Sequence, residues 1–207
     1  MRKIWRKISC RRSHWSFGIF DYCSLVKQAI CSSRGIGQKG NFSVIKAEHL
    51  KEKGVHLVGG EWNSEEQLQK ACKDVDVVIS AVIGAEDTIK DGQLRLVEAA
   101  KRAGVKRFIP SDFAADYFRA EIGDNDHFDI RKKVAEEVKK SGIGYTFFLN
   151  GVFIEPLFEP FLNIIVKNHK INYYGSADTP ILLMKMQQIS KCSPSIKQWL
   201  EKNKSRF

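Results

Sequence analysis

Two constellations in this 207-residue sequence bring chemically capable side chains to telling positions. The first is Arg131-Lys132-Lys133. A lysine beside a reacting centre can exchange a proton near neutral pH, whereas a guanidinium stays charged and holds an anion. Read differently, the same three residues are a solvated helix face. The second is Gly35-Ile36-Gly37-Gln38-Lys39-Gly40, a literal G-x-G-x-x-G. Such a turn receives a pyrophosphate only when an apolar strand leads into it and a helix leads out. The preceding Ala29-Ile30-Cys31-Ser32-Ser33 is a poor first strand, so a loop is the favoured reading, with Arg34, Lys39 and Lys46 left as candidate anion contacts. Asp112 and His127 are further acid/base candidates, though a loop aspartate more often makes a turn. The five cysteines are scattered without a C-x-x-C pair, which argues against a disulfide framework or a metal site and for a reducing compartment.

These residues need elements to hold them, and the middle of the chain supplies an alternation of strand and helix. His56-Leu57-Val58-Gly59-Gly60 is a short apolar strand, and Asn63 or Ser64 can cap the helix that follows. The run from Val75 to Val82 is apolar enough to be covered on both faces, as in a parallel sheet. A helix is expected over 86–103, with Ile89, Leu94, Val97 and Ala100 at helical spacing. Arg107-Phe108-Ile109 reads as the next strand. A second amphipathic helix is expected over about 128–141, with Asp126 as its cap, and a strand over 144–150. This order implies right-handed βαβ units in a doubly wound parallel sheet, whose ligands bind beyond the carboxyl ends of the strands. The loops at 80–85, 110–115 and 150–153 occupy that position.

The net charge of +10 suggests nucleic acid until it is located. Residues 1–28 carry a net of +6 and residues 185–207 a net of +5, so the middle is nearly neutral and nucleic-acid binding is not expected. No apolar run is long enough for a membrane span and no secretory signal is visible, so a cytoplasmic location is expected.

Several stretches together resemble the NmrA-like/isoflavone-reductase-like family of atypical short-chain dehydrogenase/reductases. They are Gly54-Val55-His56-Leu57-Val58-Gly59-Gly60, Val75-Asp76-Val77-Val78-Ile79-Ser80-Ala81, Gly104-Val105-Lys106-Arg107-Phe108-Ile109-Pro110-Ser111-Asp112-Phe113, and Ser141-Gly142-Ile143-Gly144-Tyr145-Thr146. The third stands where the family usually has F-x-P-S-E-F-G. The resemblance implies a Rossmann-like α/β domain that binds NADP(H), with a small, variable substrate lobe. It implies that Ser80, Ala81 and Val82 lie along the cofactor, that Pro110, Ser111, Asp112 and Phe113 flank the nicotinamide and substrate, and that Asn150 and Phe153 belong to a loop closing the pocket. The family's reductases use a lysine eleven residues before the glycine of the last stretch. Counting back from Gly142 gives Arg131, with Lys132 and Lys133 one and two residues on. The implied partners are a small organic substrate accepting hydride from NADPH and, if the chain is instead a non-catalytic sensor, a regulatory protein. A truncated, inactive member is the third reading.

The fold is expected to be incomplete, since neither an apolar first strand nor the family's G-A-T-G-x-x-G loop is recognisable in residues 1–30. The chain divides on this reading into an atypical basic segment (1–40), the family-like core (41–180) and a basic tail (181–207). The codons for His14-Trp15-Ser16-Phe17-Gly18, read one base later, permit T-G-H-L-G, and those for residues 183–189 in a shifted frame permit D-E-D-A-A-D. Both ends are therefore read as out-of-frame translation around a genuine core, which sequencing the transcript across codons 10–30 and 180–192 would decide. The competing reading of the N-terminus is an organelle-targeting segment, basic and poor in acids.

Overall fold

Short apolar runs that alternate with amphipathic ones bury their surfaces most fully as a parallel sheet with helices packed on its faces. The computed structural model has that arrangement. It describes the backbone of 4–8, 28–31 and 56–59, and with side chains residues 52, 64–82, 86–154, 178, 180 and 182–185. The strands are β1 (Ile4–Ile8), β2 (Gln28–Cys31), β3 (His56–Gly59), β4 (Val77–Ala81), β5 (Arg107–Ile109) and β6 (Gly144–Tyr145), and all their pairings are parallel, in the order β3-β2-β1-β4-β5-β6. This is the doubly wound, Rossmann-like sheet expected from the sequence. A separate pair joins β7 (Val152–Phe153) to β8 (Leu183–Met184).

One strand is a correction. Ile4–Ile8 occupies the central first-strand position, with Ile4 opposite Val77 and Ile8 opposite Ala81, where the sequence offered no recognisable first strand. Arg6 and Lys7 break its apolar run, so the pattern used to find buried strands passes over it. Gln28–Cys31 takes the second-strand position on its other side. The G-x-G-x-x-G at 35–40, Arg34, Lys39 and Lys46 lie outside the described residues, as does 14–18.

Among the described residues three helices cover one face: α1 (Glu65–Cys72), α2 (Gln93–Arg102) and α3 (Asp126–Lys140). Leu68, Ala71, Leu96, Val97, Ala100, Val134 and Val138 from these helices enclose Val78 and Phe108 of the sheet. Val77, Ile79 and Ile109 turn to the opposite face, against Phe148. The two-residue period of β4 therefore serves two cores at once, which is why its sequence is apolar throughout. Cys72 is buried in the first core, and burial pushes its thiol up to about 12, so it is inert at neutral pH.

Ser64 caps α1, its side chain accepting from the Gln67 amide at 3.4 Å. For α3 the cap is Asn125 rather than Asp126: its Oδ1 accepts from the His127 amide (2.9 Å) and the Phe128 amide (3.2 Å), so the helix starts two residues earlier than its apolar spacing suggested. Gly142, at φ +79°, ends it. The helix expected over 86–103 is not uniform. Asp87–Gly92 is a π-helical segment before α2. Gln93 Nε2 donates to the Ile89 carbonyl at 2.9 Å, a side chain competing for the helical ladder of the kind that produces such widenings. The strand expected over 144–150 is ladder-paired only at Gly144–Tyr145.

Candidate functional site

The carboxyl ends of β4, β5 and β6 lie side by side, which brings the residues just beyond them to one edge of the sheet, where ligands of such sheets bind. Ser80 is the fourth residue of β4 and is fully buried. Val82, one residue past the strand, is fixed by Ser111: Ser111 Oγ donates to the Val82 carbonyl at 2.7 Å and accepts from the Val82 amide at 3.0 Å. The Ser111 amide donates to Gln93 Oε1 at 2.6 Å. Gln93 is fully buried and, through its bond to Ile89, ties the π-helical segment to the same point. The loops after β4 and β5 are thus one hydrogen-bonded unit.

Asp112 follows, 3% exposed. Its Oδ1 accepts from the Tyr117 hydroxyl at 3.2 Å, and its main-chain carbonyl accepts from Arg131 Nε at 3.4 Å. Its Oδ2 has no hydrogen-bond partner among the described residues. Burial pushes the Asp112 carboxyl up to about 7, against the smaller opposing pulls of the Tyr117 hydroxyl and the Arg131 charge. Burial likewise raises Tyr117, reinforced by Asp112, and lowers Arg131. Phe113, the next residue, sits at φ +40°, a strained conformation for a bulky side chain, and its ring stacks on Phe148 with centroids 6.3 Å apart. Such strain is typical of functional loops.

The third loop is held by main chain. The Gly151 amide donates to the Ala114 carbonyl at 3.2 Å, and the Val152 amide to the Leu182 carbonyl at 2.9 Å. Gly151 has φ +77°, and a side chain there would meet the Leu182 carbonyl oxygen at 2.4 Å, so only glycine lets these segments approach. Phe153 is buried beside it, and Asn150 Oδ1 is buried without a partner among the described residues.

The three basic residues part company on α3. Arg131 points to the Asp112 loop, with Nη1 also donating to the His127 carbonyl at 3.1 Å. Lys132 Nζ is hydrogen-bonded to the Ala120 carbonyl, and Lys133 is exposed. His127 is exposed at the helix start. The structure thus gathers Ser80, Val82, Pro110, Ser111, Asp112 and Arg131, with Asn150 and Phe153 on the adjoining loop, and leaves Lys132 and Lys133 out of that hydrogen-bond network. Ala81 ends β4 half-buried. Sequence reasoning missed Gln93 and Tyr117. Gln93 had a signal: it falls on the same helical stripe as Ile89, Leu96, Val97 and Ala100, where a polar residue needs a buried partner. Tyr117 stood in a polar loop with no pattern to flag it.

Comparison with known proteins agrees with this architecture. The model of the NmrA-like family matches residues 38–189. The chain is 34% identical over 145 residues to the bifunctional pinoresinol-lariciresinol reductase of Linum usitatissimum, an alignment covering 65% of this chain and 46% of that protein. The chain therefore spans about half the length of that relative. Among solved structures it is similar to AtPrR2 with NADP+ and (+)-pinoresinol (TM-score 0.71, 24% identity, 94% of this chain and 66% of the other). It is likewise similar to the leucoanthocyanidin reductase–NADPH complex from Vitis vinifera (TM-score 0.70, 22% identity, 92% of this chain and 63% of the other). At these identities the structures speak for the fold.

Proposed function

Because the chain belongs to the NmrA-like family, we propose that it binds NADPH across the carboxyl ends of β4, β5 and β6 and reduces a small organic substrate there. One observation carries this reading. Among the described residues Ser80 Oγ, Asp112 Oδ2 and Asn150 Oδ1 are buried polar atoms without partners; Ser80 lies within β4, Asp112 three residues past β5 and Asn150 five residues past β6. Folded proteins rarely leave such atoms unpaired unless a ligand or water completes them. The relatives named for reductase activity, and the similar structures solved with NADP+ or NADPH, supply the cofactor class.

The residues present fit the nicotinamide end of such a cofactor. Residues 80–82 would lie along it, 110–113 would flank the ring and substrate, and Asn150 and Phe153 would close the pocket. The segment between β1 and β2, where a pyrophosphate would sit in this fold, is outside the described residues. When bound, a reduced nicotinamide supplies two electrons and one hydrogen to an electrophilic carbon, such as that of a carbonyl or enone. The chain's own tasks are then to hold the ring, exclude water and deliver the matching proton. Ser111 and Gln93 fix the two loops that make the cleft. Phe113 and Phe148 present a stacked apolar wall.

A second reading has its own support. Arg131 stands at the family's lysine position, and a guanidinium does not give up its proton. On that ground the chain is a dinucleotide sensor that acts on a protein partner. Fluorescence titration with NADPH, followed by its consumption in the presence of carbonyl and enone compounds, separates the two. An enzyme binds and turns over; a sensor binds only; absence of binding ends both readings. Among the described residues no helix is long and apolar enough to cross a membrane.

A further inference from the structure

We propose that Asp112 is the proton-holding group of this site, the carboxyl that delivers the proton Arg131 cannot. The inference rests on the reading of the site as a reductase cleft and adds to it a named acid. Three geometric facts support it. The carboxyl group is buried at the carboxyl end of β5, on the loop already tied to β4 through Ser111 and Val82. One oxygen is oriented by the Tyr117 hydroxyl, while the other is buried with no hydrogen-bond partner among the described residues. Arg131 approaches from α3 but spends its hydrogen bonds on the carbonyls of Asp112 and His127 rather than on the carboxylate. A bidentate pair with Arg131 would have fixed the carboxyl as an anion; this arrangement does not.

The ionisable groups bearing on Asp112 are Tyr117 from the 3-10 turn (Tyr117–Arg119) and Arg131 from α3, with Asp116 acting on Tyr117. Burial outweighs both neighbours, so the carboxyl holds its proton into the neutral range. Reduction of a carbonyl or enone by NADPH needs one proton for every hydride. In the step proposed here the Asp112 O–H bond breaks, a new O–H bond forms on the substrate oxygen, and the electron pair left on Asp112 makes it a carboxylate. The nicotinamide is oxidised and the substrate reduced. Water reprotonates Asp112 for the next cycle. The Tyr117 hydroxyl and the nearby Arg131 charge stabilise the carboxylate in between. This differs from acid/base chemistry by a lysine on α3, and it gives a definite role to Asp112, one of the acid/base candidates the sequence offered.

The first test needs no cofactor. Carbon-13 NMR of the full chain, labelled at aspartate carboxyls, should show one resonance titrating near neutral pH, well above the others, and absent from Asp112→Asn. Tyr117→Phe removes the hydroxyl that favours the anion and should move that midpoint upward, which a merely structural tyrosine would not do. The second test follows turnover with the compound most rapidly reduced in the panel. Wild-type kcat should fall as pH rises through that midpoint, and Asp112→Asn should lose this limb together with at least about a hundredfold in rate. Absence of the high resonance, or an Asp112→Asn variant with unchanged rate and profile, overturns the proposal alone. A wild-type chain that fails to bind NADPH overturns the reductase reading and, with it, proton delivery, whatever the NMR shows.

Discussion

A single hydroxyl, that of Ser111, both donates to and accepts from the main chain of Val82, at 2.7 and 3.0 Å, and so joins the ends of β4 and β5. The serine sits 29 residues from its partner in sequence and is 3% exposed. Two loops that a Rossmann-like fold uses for ligand are held here by side chain rather than by ladder pairing.

Removing that hydroxyl leaves the Val82 amide and carbonyl buried and unpaired. Ser111→Ala is expected to lower the unfolding free energy by about 1–3 kcal/mol, the usual cost of orphaned buried groups. Gln93→Leu, which orphans the Ser111 amide, should cost about as much. Urea denaturation of each variant checks this, and a change below about 0.5 kcal/mol for both would show the network to be incidental.

Asp112 also predicts a pH dependence of stability. Its folded value, about 7, lies above the ordinary 3.8, so the folded state binds the proton more tightly than the unfolded chain. The associated stabilisation is complete below the unfolded value and is lost as pH rises through the folded one. The stability of wild type relative to Asp112→Asn should therefore decline between about pH 4 and pH 7 and level off above. A flat difference across this range would mean that Asp112 ionises normally.

Arg131→Lys restores the residue expected at this point of α3. If Asp112 holds the proton, the exchange should change turnover by less than about threefold, because the charge beside the loop is kept. A gain of tenfold or more would place the acid on α3 and mark the arginine as a loss of function.

Gly151→Ala forces a left-handed backbone onto a residue with a side chain and drives a methyl group into the Leu182 carbonyl. The conformation alone costs on the order of 1–2 kcal/mol, and the clash adds to it. Thermal unfolding should show a loss greater than the conformational term, with the β7–β8 amides of Val152 and Ile154 exchanging faster than in wild type. Unchanged exchange there would mean that the two segments separate at no cost.

Much of this fold is legible in the sequence because burial writes a pattern. Val77, Val78 and Ile79 announce a strand covered twice, and Val134 and Val138 announce the inner face of α3. What was not legible depends on backbone or on single polar contacts. Ile4–Ile8 pairs through its main chain while Arg6 and Lys7 hide its period. The π-helical segment follows from where one glutamine side chain bonds. For the site, Ser111 and Asp112 were found by resemblance to the family, whereas the use each makes of its oxygen atoms is visible only in three dimensions. The basic triplet on α3 shows the limit most clearly. Spacing brings Arg131, Lys132 and Lys133 to one turn, and the turn sends them in three directions.

The central claim is that the loops past β4, β5 and β6 take a dinucleotide, with Ser80 Oγ among the atoms that meet it. The most direct measurement is calorimetric titration of NADPH into the full chain and into Ser80→Ala, with thermal unfolding of both without ligand. If Ser80 Oγ is kept for the cofactor, the variant loses roughly three- to tenfold in affinity, about one hydrogen bond's worth, while its stability without ligand is unchanged or raised. Equal affinities, or no saturable binding by the wild-type chain, would contradict the account.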